Sequence, residues 1–371
     1  LLEHMLLKAA PLGYPEMTLM DLKAWHASQD WKHDSGKTGT DETVFGGTCP
    51  PEQFPAFCRY INAYVRSPSF GGVEHSIELM QNERLQEALG GADSDAEYAR
   101  VVALCRDPHL AAILSDRCTF DGLTREAAMA FHHRYYEAPN MDLIVIGNLD
   151  EAAAFETIEA SFPPGRQSFV VPPRPAPPSF LPPRKRTFLA GKRASSARVR
   201  NAERGIDEPS VMLSYSWIAP YAELWPLKVA LAALDRILED RLRERMGVSY
   251  GPASLIDGTC HGFISLAFDF TIPSQHECRA RRMVAKACRD ADAIVLASAS
   301  CRKELTNDLR HWDYSISENF DLALYDLVAG GRIISVAERC KEIEAVTEER
   351  LRSALAKWLA PERSFLVITG D

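Results

Sequence analysis

The chain has 371 residues, 46% hydrophobic and 25% charged, which supplies a sizeable core and exceeds what one core usually serves, so two domains are expected. A formal net charge of −9, with basic runs no longer than pieces such as Arg184-Lys185-Arg186, leaves no footprint for a nucleic-acid backbone. The longest uncharged run, Pro209 to Ala222, is broken by two prolines and is too short to span a bilayer, so no membrane segment is expected.

Nine cysteines (49, 58, 105, 118, 260, 278, 288, 301 and 340) are scattered without a Cys-x-x-Cys pair. They indicate neither a disulfide framework nor a cysteine zinc site and favour a reducing, cytoplasmic compartment. Leu1 to Lys8 is an apolar helical stretch carrying Glu3 and His4, and Thr18 to Trp25 has helical spacing. Thr38 to Phe45 reads as a turn and then a strand closed by Gly46-Gly47. Gln53 to Val65 carries Phe54, Phe57, Ile61, Tyr64 and Val65 as one helical stripe, and Glu74 to Leu89 is a further helix closed by Gly90-Gly91. Helix is also expected over Ala96 to Cys105, followed by a loop through Asp107-Pro108, and again from Thr124 to Tyr136, with Thr124 as N-cap. Leu143 to Gly147 reads as a buried strand.

Nine prolines between Phe162 and Arg186 mark a linker. The chain therefore divides into an N-terminal domain (1–162), the linker (163–186) and a C-terminal domain (187–371). The second half has strands at Val211 to Trp217, Tyr250 to Ile256 and Gly262 to Thr271, a helix from Leu224 to about Met246, and helices out to Leu359. Its end repeats the end of the first half. Thr124-Arg-Glu, Ala138-Pro139 and Leu143 to Gly147 return as Thr347-Glu-Glu, Ala360-Pro361 and Phe365 to Gly370, displaced by 222 or 223 residues. A shared order of N-cap, Ala-Pro break and apolar strand favours internal duplication of one α+β unit.

Glu3-His4 is the first chemical candidate. In an H-x-x-E-H helix two histidines on one face grip Zn²⁺ and the glutamate polarises the metal-bound water; here the other histidine falls one position before Leu1. By itself a Glu-His pair equally fits the surface of an ordinary helix. Arg243 to Tyr250 is the second candidate, and it equally fits a helix end with Gly247 as C-cap and a tyrosine opening the next strand. His132 and His133 point to different faces, one packed and one exposed, and His26 and His33 read as surface residues. There is no G-x-S-x-G, Walker A or G-x-G-x-x-G sequence to support a serine hydrolase elbow or a nucleotide cradle.

Leu-Leu-Glu-His-Met-Leu-Leu-Lys resembles the H-F-L-E-H-M-L-F-K-G stretch of the pitrilysin/insulinase family of inverted zinc peptidases, or inverzincins. Thr38 to Phe45, Ser67-Pro-Ser-Phe70 and Tyr135 to Asp142 resemble further family segments, and Arg243-Glu-Arg-Met-Gly-Val-Ser-Tyr250 resembles L-R-E-K-x-G-L-A-Y. The resemblance implies two homologous α/β-roll domains, each a mixed or antiparallel sheet with helices packed on it, forming half of a clamshell, with the family's first strand or strands falling before Leu1. It implies a zinc endopeptidase or oligopeptidase acting on unstructured peptides. His4 and Glu83 would be Zn²⁺ ligands, with Glu78 and Glu87 as alternatives to Glu83, and Glu3 would be the general base. Arg243 and Tyr250 would hold the substrate backbone and the oxyanion. It also implies a homodimer, or a heterodimer with a related subunit, in which Arg243 and Tyr250 act in trans. Ser35 stands where the family often has Asn, and Ser76 where it has an auxiliary Glu. These departures keep open a non-catalytic partner subunit that has lost the metal, or a peptide-binding chaperone. Lacking a ligand, residues 1–371 are themselves expected to be metal-poor and inactive.

Overall fold

Hydroxyl side chains set several helix starts by accepting a hydrogen bond from the backbone N–H three residues on, which satisfies an otherwise orphaned donor. Thr18 accepts from Asp21 at 3.2 Å, Thr124 from Ala127 at 3.1 Å, Ser335 from Glu338 at 3.2 Å and Thr347 from Arg350 at 3.2 Å. The structure, a computed structural model, describes residues 2–8, 11–14, 17–39, 42–90, 120, 122–163, 169–172, 186–189, 210–248, 253–260, 263–312 and 316–370. The helix expected over Ala96 to Cys105, the loop at Asp107-Pro108, most of the proline-rich linker and Tyr250 lie outside these residues. The chain is an α+β protein that clusters into two units, residues 1–86 with 119–176, and residues 87–118 with 177–371.

Unit one contains α1 (Leu2–Lys8), α2 (Leu19–Ser28), a hairpin of β1 (Lys32–Thr38) and β2 (Thr43–Thr48), α3 (Phe54–Arg66), α4 (Val73–Gly90), α5 (Arg125–Tyr135) and α6 (Glu151–Ser161). Its core is aromatic. Tyr60 is fully buried, and the rings of Tyr14, Trp25 and Trp31 lie with centroids 5.3, 5.4 and 5.5 Å from it, two of them tilted and one edge-on. Leu2 and Leu6 of α1 pack into this cluster, while Met5 packs with Val73 and Ala128 at the starts of α4 and α5.

His26 is buried within the aromatic cluster, its Nε2 2.8 Å from the Tyr60 hydroxyl, which corrects the surface reading. Asp30, at φ 54°, folds the chain back after α2 so that the Trp31 N–H donates to the His26 carbonyl at 2.9 Å. This return buries the imidazole. His132 is buried, with Nε2 2.7 Å from the Val65 carbonyl, and His133 is exposed, as expected.

Two strand readings in unit one need correction. Gly46 and Gly47 lie inside β2, paired with Ser35 and His33, and do not close the strand. Residues 143–147 form no ladder: Leu143 and Val145 are 46% and 38% exposed. An apolar run becomes a strand only when a neighbour pairs with it, and none does so among the described residues.

In unit two, β3 (Arg186–Leu189), β4 (Ser210–Pro220), β5 (Ala253–Cys260), β6 (Phe263–Pro273) and β7 (Phe365–Gly370) form one sheet in the order β3-β7-β4-β6-β5. β3 is parallel to β7, and the other neighbours are antiparallel. The helices are α7 (Leu224–Glu239), α8 (Glu277–Arg289), α9 (Ala291–Trp312), α10 (Ile316–Tyr325), α11 (Val336–Glu344) and α12 (Glu348–Lys357). α7 is the central one, with Leu227, Val229, Ala230, Leu231, Ala233, Leu234 and Leu238 all within 2% of full burial, so it is apolar nearly all round.

The helix expected to reach Met246 instead widens at Glu239 into a π turn over Asp240–Glu244, and the strand expected from Tyr250 is observed at Ala253–Cys260. A second π turn, Asp326–Gly330, follows α10. It is fastened by Asp326, whose carboxylate accepts from the Tyr221 hydroxyl at 2.7 Å, from the Ile334 N–H at 3.0 Å and from the Arg339 guanidinium.

Candidate active site

Three buried apolar side chains of α1, Leu2, Met5 and Leu6, follow helical spacing and fix its inner face. Glu3 is half-buried and lies over β1. The Thr38 hydroxyl donates to Glu3 Oε2 at 3.5 Å, and a Cβ built on Gly36 would meet Glu3 Cγ at 2.6 Å and Oε1 at 2.7 Å. Only glycine leaves room for the carboxylate here. The negative charge of Glu3 reaches the phenols of buried Tyr64 and half-buried Tyr136, reinforcing the upward shift that desolvation gives both. The His4 side chain lies outside what the structure describes.

Glu83 is exposed on α4, two turns beyond Ile77, the residue that packs with Met5. Seven positions before it, Ser76 is buried at 2% exposure. Glu78 is exposed and paired with His75 at 4.0 Å; the Glu87 side chain lies outside the described residues. Among the described residues no three His, Cys, Asp or Glu side chains gather as a metal would require. The described donors alone therefore do not fit a complete zinc site.

Arg243 sits in the first π turn, half-exposed, with Nη1 3.0 Å from Glu239 Oε1 and Nε 3.6 Å from Glu244 Oε1. Gly247, at φ 62°, ends the element: its N–H donates to the Arg243 carbonyl at 2.9 Å, and the Val248 N–H donates to Leu242 at 3.0 Å. The expected C-cap is thus present. Sequence reasoning missed the buried polar knot of Tyr221, Asp326 and Arg339. Asp326 and Arg339 are thirteen residues apart on separate elements, and neither residue type signals burial.

The fold is that of a helix-rich α+β protein in which a carboxylate-bearing helix is laid on a hairpin. Residues 122–292 match the family described as "Peptidase M16 inactive domain", and the fold of a solved domain of that description in the pitrilysin/insulinase (M16) family extends over nearly the whole chain. The resemblance carried by the motif residues is therefore borne out. A protease from Helicobacter pylori superposes with a TM-score of 0.75 at 12% identity, over 99% of this chain and 87% of that one. A Peptidase M16 inactive domain from Pseudomonas fluorescens gives 0.71 at 13% identity, over 99% and 87%. The periplasmic protease PqqL from Escherichia coli gives 0.64 at 14%, over 96% of this chain but only 39% of the PqqL chain. No curated protein matches in sequence. No helix among the described residues is long and apolar enough to cross a membrane.

Proposed function

We propose that the chain takes part in zinc-dependent hydrolysis of unstructured peptides, with Glu3 as the general base. The observation that carries this is the seating of Glu3: a half-buried carboxylate held against β1 by a glycine-only approach at Gly36 and a hydroxyl at Thr38. A carboxylate fixed in this way is suited to taking a proton and passing it to a leaving amine. His4 and Glu83 are the residues of this chain that would hold Zn²⁺, in company with a ligand beyond these two; the ion would polarise water and the scissile carbonyl. Tyr250 would donate to the oxyanion and Arg243 would orient the peptide backbone. Six described cysteines are free, four of them buried, which suits a reducing compartment.

A second reading, a non-catalytic partner in a peptidase heterodimer, is favoured by the exposed position of Glu83 and by the match to an inactive domain. Zinc analysis of the protein isolated from its own cells, with a quenched peptide assayed on it and on its Glu3→Gln form, separates the two. Near-stoichiometric zinc and cleavage abolished by Glu3→Gln support catalysis; a metal-free protein whose peptide affinity ignores the substitution supports the partner role. On the catalytic reading the site is shared between subunits. Mixed dimers of a Glu3→Gln chain and a Tyr250→Phe chain are then expected to regain activity by assembling one intact site, and no recovery from demonstrably mixed dimers would remove the trans arrangement.

A further inference from the structure

Charge is unevenly divided along the chain. Unit one, residues 1–86 with 119–176, holds 19 acidic and 11 basic residues, so −8 of the formal −9 falls there. Residues 135–165 contain six acids and neither lysine nor arginine. They include α6, which packs on α3 with Ala154, Thr157, Ile158 and Ser161 as its covered positions. On its outer side Glu151, Phe155 and Glu159 follow one another at four-residue steps, with Glu156 beside them, and Phe155 is 58% exposed. The open face of α6 is an aromatic ring set among three carboxylates.

Unit two carries the opposite pattern on α8. Arg279, Arg282, Lys286 and Arg289 recur at steps of three, four and three residues and are all exposed, so they line one outer face of a 13-residue helix. Among the described residues only Arg289 of these four is in an ion pair, with Glu362, and the single acid of α8, Glu277, is taken by Arg281 at 2.9 Å. Cations at these spacings repel one another along a helix, so carboxylates brought from outside it relieve the stripe. Half-buried Met283 lies between Arg279 and Lys286 and gives the charged face an apolar centre.

We infer that the α8 stripe docks α6 of a second copy of this chain. The two faces agree in length, 13 residues against 11, are opposite in sign, and each carries one apolar side chain at its middle, Met283 and Phe155. Thioether and aromatic ring make a favourable contact, and a guanidinium can stack on an aromatic face while pairing with a carboxylate. The contact joins unlike faces, so a copy bound through α8 still offers its own α6, and association closes into a ring or continues. It uses neither Arg243 nor Tyr250 and holds for a catalytic and a non-catalytic chain alike.

Sedimentation velocity on the 371-residue chain and two double variants tests this. Arg279→Glu with Arg282→Glu reverses charge on α8, and Glu156→Lys with Glu159→Lys reverses it on α6. All four positions are exposed, and the changes put acid near a helix N-terminus and base near a C-terminus, so folding is retained, as far-ultraviolet circular dichroism would verify. The unaltered chain is expected to associate over roughly 1 to 100 µM and to do so at least about threefold more weakly in about 300 mM than in about 20 mM salt. Each double variant alone should associate at least about tenfold more weakly than the unaltered chain. Mixed together, the two variants supply one intact α6 and one intact α8, and they should pair. Dimers formed through Tyr250 would persist in both variants, so the step that is read is the one the reversals remove, and the reading of function stands or falls separately. A single unchanging species for the unaltered chain, association that resists salt, a loss of less than about tenfold in either variant, or a mixture that stays unpaired overturns the proposal.

Discussion

Asp326 offers the sharpest test of how unit two is held together. It and Arg339 are each 2% exposed, and the carboxylate also serves the Tyr221 hydroxyl and the Ile334 N–H. Asp326→Ala therefore strands a guanidinium in the interior, where Nε already has no hydrogen-bond partner, and orphans two further donors. Breaking one side of such a pair costs about 3–5 kcal/mol. Arg339→Met alone leaves a buried carboxylate that keeps two donors, so its cost is expected to be lower, roughly 2–3 kcal/mol. In the double variant Asp326→Ala, Arg339→Met no buried charge remains, and the loss is expected to fall short of the sum of the singles by at least about 1 kcal/mol. Urea unfolding followed by tryptophan fluorescence, with m checked for constancy, measures all three. Costs that add to within about 0.5 kcal/mol, or an Asp326→Ala cost below about 1 kcal/mol, would refute the view that desolvated charge pins the π turn.

Two further predictions concern unit one. Burial holds the His26 and His132 imidazoles below the ordinary 6.5, with the Val65 carbonyl partly opposing the shift at His132. A folded-state pKa depressed in this way gives stability that is complete above about pH 6.5 and drains as pH falls towards the folded value, by up to about 1.4 kcal/mol per unit for each histidine. Urea midpoints for unit one at pH 7 and pH 5 should differ accordingly, and His132→Gln should flatten the dependence; an unchanged midpoint would contradict it. Gly36→Ala should displace the flexible Glu3 side chain from β1 at little cost in stability, and on the catalytic reading should lower kcat of the complete enzyme with little change in KM. Full activity in a folded Gly36→Ala protein would show that the seating of Glu3 is incidental.

Much of this architecture was legible locally. Thr124 and Thr347 announced their helices because capping is settled within four residues, and α3 was written in the spacing of Phe54, Phe57, Tyr64 and Val65. Residues 143–147 were read as buried because their composition matches β7, but burial of a strand depends on its neighbour, which composition cannot report. The π turn after Glu239 escaped notice because it preserves helical periodicity while shifting each carbonyl's partner by one residue. Nothing local marks His26 as buried, because its partner, Tyr60, is 34 residues away. The candidate chemistry divided in the same way. Glu3 and Arg243 were visible as motif residues, whereas Gly36, which allows the carboxylate its place, had no signal of its own.

The aromatic cluster around Tyr60 also gives unit one an optical identity. Trp25 and Trp31 face each other edge-on at 5.4 Å, close enough for their indole transitions to couple, and the His26 ring lies 5.4 and 6.5 Å from them. The coupled pair should give a near-ultraviolet circular dichroism couplet that disappears when α2 detaches. Protonation of His26 places a quenching imidazolium against both indoles. Loss of this couplet, set beside the emission of buried Trp217 and Trp225 in unit two, would reveal which unit opens first.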